Sequence, residues 1–92
     1  MPSIVLATLN ARYAHASLGL RYLAANLGEL REETVIREFV VRTPAAQIAA
    51  SLLALQPRVI GFGVYIWNVQ QTTRVIELLK AAAPQLVIVV GG

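Results

Sequence analysis

The chain has no cysteine and no aspartate, a single histidine, and a charged fraction of only 14%. The missing cysteines exclude disulfides, thiolate zinc sites, cysteine nucleophiles and cysteine-ligated iron–sulfur clusters within these 92 residues. The missing aspartates exclude a receiver domain, which needs one to phosphorylate. All five acids are glutamates, and Glu29, Glu32 and Glu33 read as a solvated helix end. A basic run is also lacking: Arg12, Arg21, Arg31, Arg37, Arg42, Arg58, Arg74 and Lys80 are scattered, so the net charge of +3 gives no support to nucleic-acid binding. The longest apolar run, Val59 to Trp67, is about half of the roughly 20 residues a bilayer crossing needs. No membrane span is expected. The start, MPSIVLATLN, has neither a positive leader nor a small-residue cleavage site, and a cytoplasmic location is expected.

What the chain does hold is apolar: 57% of its residues are hydrophobic. A length below about 100 residues supports one small domain with a marginal core. With charge well under the usual fraction of roughly 25%, part of the surface is expected to be covered by another domain or by a second copy.

The pattern alternates strand and helix. Ser3 to Leu9 is a short β-rich run, followed by the polar and small residues NARYAHAS. Ser17 is placed to cap a helix with its apolar stripe at Leu20, Leu23, Leu27 and Leu30. Thr34 to Val41 is strand-like but carries Arg37 and Glu38, which predicts a sheet-edge position. Thr43 as N-cap and Pro44 in the first turn predict a helix that turns Ile48, Leu52 and Leu55 to the core and ends at Pro57. Val59 to Tyr65 is apolar on both faces, as in a central parallel strand. Asn68 and Gln71 have capping-box spacing ahead of a stripe at Val69, Thr72, Ile76, Leu79 and Ala83, closed by Pro84. QLVIVV is the fourth strand. The order βαβαβαβ is that of a parallel α/β sheet with right-handed crossovers. Four strands and three helices make an incomplete doubly wound domain over residues 1–92, truncated after the fourth strand, and a fragment of a longer protein is expected.

In such sheets ligands bind beyond the strand carboxyl ends, near the point where strand order reverses. Three loops qualify: Asn10 to Ser17, Tyr65 to Asn68, and Gly91 with Gly92. The first holds Arg12, which can pair with a phosphate or lie solvated, and His15, read either as a metal ligand or as a loop histidine bonded to backbone. The second sets Tyr65, Ile66 and Trp67 at a strand exit, either as an aromatic wall for a flat ligand or as core packing. The third offers two glycines for close backbone approach or a tight turn. A dinucleotide fingerprint G-x-G-x-x-G and a phosphate-binding P-loop are both absent after the first strand, where Gly19 stands alone. No serine–histidine–acid set or carboxylate pair is placed for hydrolysis.

At these loops the chain resembles the N-terminal cobalamin-binding domain of radical SAM enzymes, the group that includes anaerobic magnesium-protoporphyrin monomethyl ester cyclases and P-methylases. The resemblance is carried by ATLNARYAHASLGLRYLAANL, VIGFGVYIWN and VIVVGG, and covers essentially the whole chain. It implies a Rossmann-like, flavodoxin-like sheet holding cobalamin over the strand carboxyl ends. Tyr13, Ser17, Leu18 and Gly19 would line the first loop, Tyr65, Ile66, Trp67 and Asn68 the second, and Gly91 and Gly92 would approach the nucleotide tail. It also implies catalysis, methyl transfer or ring closure, in a separate radical SAM domain of the same polypeptide. That domain would bind an iron–sulfur cluster and S-adenosylmethionine through a C-x-x-x-C-x-x-C loop, and this chain alone would not be catalytic. Cobalamin domains of the mutase type use D-x-H-x-x-G, with the histidine on cobalt. Here Tyr13 stands in the aspartate's place and Gly19 lies one residue too far from His15, which is the cobalt-ligand candidate that the resemblance offers. Two other readings remain: a ligand-free structural or interaction domain, for which a homodimer of the isolated piece is expected, and a small nucleotide-binding α/β enzyme, which the missing glycine fingerprint opposes.

Overall fold

In the computed structural model, residues 3–10, 33–65 and 67–91 are described. They form four strands, β1 (Ile4–Asn10), β2 (Thr34–Val40), β3 (Val59–Gly63) and β4 (Val87–Gly91), and two helices, α1 (Ala45–Ala54) and α2 (Val69–Ala82). The helix expected from Ser17 through Leu30 lies outside the described residues. All strand pairs are parallel, and the sheet order is β2-β1-β3-β4. This is the flavodoxin-like, Rossmann-like arrangement, with strand order reversing between β1 and β3.

Register explains why these segments form a sheet. Val5 aligns with Val35 on one side and Ile60 on the other, and Ile60 aligns with Ile88, so one row of β-branched side chains crosses all four strands. The connections from β2 to β3 and from β3 to β4 step across the sheet in the same direction, and right-handed crossovers therefore put α1 and α2 on the same face. There Val5, Ala7, Leu9, Ile60 and Phe62 pack with Ile48, Ala49 and Leu52 of α1 and Val75 and Leu79 of α2. Each large aliphatic side chain buried in this way contributes roughly 1.5–3 kcal/mol. On the opposite face of β1, Leu6 and Thr8 are buried as well.

The Thr34–Val40 strand stands at the sheet edge, as its charges predict, and Arg37 is exposed. Both β1 and β3 are interior strands. The other edge is β4, with Val87, Val89 and Val90 all more than half exposed.

Helix ends depart from expectation in detail. Pro44, not Thr43, is the N-cap of α1: its backbone is extended (φ −55°, ψ 136°), and its carbonyl accepts from Gln47 and Ile48 N–H. Thr43 instead closes the turn after β2, its N–H donating to Val40 at 2.9 Å. Helix α1 closes through Leu55 and Gln56, the latter in the left-handed conformation common just past a helix end (φ 52°), and Pro57 prevents the helix from continuing. In α2 the buried stripe is Thr72, Val75 and Leu79, while Val69 is 45% exposed. Val69 occupies the first turn, where it has left the sheet face. Ile76 and Ala83 pack partly buried against the core. Lys80 in the last turn donates to the carbonyls of Pro84 and Leu86, both at 2.7 Å, tying the helix end to the connection that leads into β4.

Candidate functional site at the carboxyl rim of the sheet

Parallel strands deliver their carboxyl ends to one rim, and two amide side chains organise it. Asn68 follows β3 and is 1% exposed. Its Nδ2 donates to the carbonyls of Leu9 (2.9 Å) and Gly63 (3.2 Å), and its Oδ1 accepts from the Tyr65 N–H at 2.8 Å. One turn further, the Gln71 side-chain amide donates to the Thr43 carbonyl in the turn after β2. The expected capping box does not form. Asn68 occupies the N-cap position of α2 without a side-chain cap bond, because its Oδ1, the atom that would accept from the first turn, accepts from the Tyr65 N–H instead. Together these two residues tie three strand exits to the start of α2. Composition and spacing carry no signal for that, since an asparagine at a strand–helix junction looks like a cap until the strands are brought side by side.

The exit of β3 is layered. Gly63 lies between Thr8 and Tyr65: a β-carbon there would stand 3.4 Å from Thr8 Oγ1 and 3.5 Å from Tyr65 Cε2. The Thr8 hydroxyl, fully buried, donates to the Gly63 carbonyl at 3.4 Å. The Tyr65 ring in turn stacks on Trp67, and Trp67 is 57% exposed. The aromatic pair is thus a self-supported platform with its outer ring open to solvent, not a piece of core. Beside it, Gly91 ends β4. A β-carbon at Gly91 would meet nothing within 4 Å, so the backbone there is approachable.

Of the residues singled out in the sequence, the structure brings Tyr65, Trp67, Asn68 and Gly91 to this rim. Tyr13, His15, Ser17, Leu18, Gly19, Ile66 and Gly92 lie outside the described residues. Among the described residues no group of three or more histidine, cysteine, aspartate or glutamate side chains is placed to hold a metal. No helix among them is long and apolar enough to cross a membrane.

A hollow among the described residues lies elsewhere. A cavity of about 590 Å³, walled by Leu53, Pro57, Arg58, Leu86 and Val87 among others, opens at the amino ends of β3 and β4. Among the described residues the rim by contrast offers a shelf of aromatic face and bare backbone. A shelf suits a broad flat ligand laid across strand ends more than a small molecule sunk in a pocket.

No curated protein matches the chain. A family model described as the B12 binding domain matches residues 4–92, a span that runs from the first residue of β1 through β4 and takes in every loop of the rim. By that match, and with the sheet order to go with it, the chain belongs to the B12-binding domain family.

Proposed function

We propose that the chain is the cobalamin-binding module of a radical SAM methyltransferase or cyclase, seating the corrin over the strand carboxyl ends while a partner domain of the same polypeptide performs the reaction. The observation that carries this reading is the coincidence of the family match over residues 4–92 with a shelf at the exits of β3 and β4 that bears no charged side chain among the described residues. The residues present fit the group. Trp67 offers an exposed aromatic face, Tyr65 backs it, and Gly91 has no neighbour where a side chain would be. In this reading Tyr65, Ile66 and Trp67 bear on the ligand from one side and Gly91 and Gly92 let the nucleotide tail run close to backbone. Tyr13, Ser17, Leu18 and Gly19 complete the seat from the loop after β1. Cobalamin, when bound, supplies a cobalt centre able to relay a methyl group or support radical chemistry. This chain's part is to bind, orient and shelter it. The iron–sulfur cluster and S-adenosylmethionine belong in this reading to the partner domain.

The test is to add hydroxocobalamin to the purified chain and follow corrin absorbance through gel filtration. Co-elution supports the reading, and no retention at high micromolar concentration overturns it. The radical SAM assignment has its own test, a C-x-x-x-C-x-x-C loop in the polypeptide that carries this domain, and its absence removes that part while leaving the binding module.

A further inference from the structure

The pairing of β1 with β3 runs from Ile4↔Val59 to Thr8↔Gly63. Beyond it the chain after β3 leans toward the other edge, and the Val64 N–H donates to the Gly91 carbonyl at 2.7 Å. A gap opens between the ends of β1 and β3, at the place where strand order reverses. The amide of Asn68 fills it, bonded both to Gly63 and to Leu9, the latter 59 residues away in sequence.

We propose that Asn68 is a positioning residue: a spacer that fixes the width of this gap, and with it the placement of the turn after β3 against the end of β1, without itself contacting ligand. The inference rests on the reading of the rim as a cobalamin seat. Both Nδ2 hydrogens are used, the Oδ1 is used, and the side chain is 1% exposed, so no donor is left for a bound molecule. The simpler role, a helix cap, is excluded by the lack of a side-chain cap bond. The Oδ1 end holds the N–H of Tyr65, and Tyr65 carries Trp67. One side chain thus links the strand gap to the aromatic platform. Alanine at this position would strand the buried Leu9 carbonyl and the Tyr65 N–H and leave the Gly63 carbonyl only its long bond from Thr8, and unmet buried groups are costly enough that the backbone shifts to find water. Aspartate would keep the acceptor for Tyr65 but, ionised, could not donate to Leu9 or Gly63.

The experiment compares the unaltered chain with Asn68→Ala, Asn68→Asp and a remote core control, Val75→Ala, whose fully buried side chain lies two turns along α2. Hydroxocobalamin affinity is read by absorbance, and the Tyr65 amide exchange rate and Trp67 emission are read without ligand. The spacer role predicts that both Asn68 variants lose about tenfold or more in affinity, while Val75→Ala, destabilised to a similar degree, stays within about twofold. Tyr65 amide exchange should quicken in Asn68→Ala and stay slow in Asn68→Asp. Should the alanine variant fail to fold, Asn68→Ser takes its place with the same expectation. Folded Asn68 variants that bind like the unaltered chain, or an equal loss in Val75→Ala, overturn the inference. If the unaltered chain retains no hydroxocobalamin, the proposed function falls. The spacer role is then decided by the ligand-free readings: changed Tyr65 exchange and Trp67 emission in Asn68→Ala support it, and unchanged values overturn it.

Discussion

The rings of Tyr65 and Trp67 lie face to face, with centroids 4.6 Å apart and planes 6° from parallel. The arrangement leaves Trp67 more than half exposed, so its outer face adds little buried area to the fold. Trp67→Ala should therefore cost less than about 1 kcal/mol in urea unfolding, yet weaken hydroxocobalamin binding several-fold, in line with roughly 0.5–1.5 kcal/mol for an aromatic contact. Trp67 is the chain's sole tryptophan, so its emission reports on the platform directly. Unaltered affinity in the variant would remove Trp67 from the seat.

Gly91 gives a cleaner separation of binding from folding. Space is open around its β-carbon position and its φ is not left-handed, so Gly91→Leu should leave the melting temperature within about 3 °C, equivalent to roughly 0.5 kcal/mol. In the proposed seat the same side chain would stand in the path of the ligand. Loss of corrin retention with unchanged melting is the expected outcome, and undiminished retention would place the ligand elsewhere.

Thr72 is buried in α2, and its hydroxyl has no hydrogen-bond partner among the described residues. Replacing that hydroxyl with a methyl group removes an unpaired polar atom at nearly constant shape. Thr72→Val should stabilise the chain by about 1 kcal/mol in denaturant unfolding. A destabilised variant would mean that the hydroxyl is hydrogen-bonded after all.

Gln56 sits at φ 52° where α1 ends, a region that costs a residue bearing a β-carbon roughly 1–2 kcal/mol. Gln56→Gly relieves that strain but loosens the unfolded chain, and a net gain of about 0.5 kcal/mol is expected from chemical denaturation. A loss would show that the glutamine side chain contributes more than its backbone conformation takes away.

The sheet was legible because its signals are local. Val- and Ile-rich runs bounded by Pro57, Pro84 and polar turns mark β3 and β4, and Arg37 with Glu38 marks β2 as an edge. The helices were legible in existence and less so in phase. Val69 reads as part of the apolar stripe of α2, but that stripe actually passes through Val75, because the first turn of a helix lifts off the sheet before the rest settles on it. Thr43 has the better capping chemistry, yet its N–H is drawn into the turn from β2 and Pro44 takes the N-cap position.

The site was legible only as a place. The rule that ligands gather at strand carboxyl ends led to Tyr65, Trp67 and Gly91, whereas the bonds of Asn68 to Leu9 and of Gln71 to Thr43 span 59 and 28 residues. Such bonds follow from which strands become neighbours, and no window of sequence contains them. Asn68 and Gln71 met the spacing for a capping box and serve a different purpose, since the Asn68 Oδ1 is taken by the Tyr65 N–H and the Gln71 amide by the Thr43 carbonyl.

The hollow walled by Leu53, Pro57 and Leu86 and the aromatic shelf sit at opposite poles of the sheet, separated by the five residues of β3, or about 16 Å of strand. Two molecules could therefore reside on this small domain at once without colliding. A compound that lodges in the hollow and also displaces corrin would have to do so by deforming the sheet between them, which makes simple competition a direct report of occupancy at the shelf.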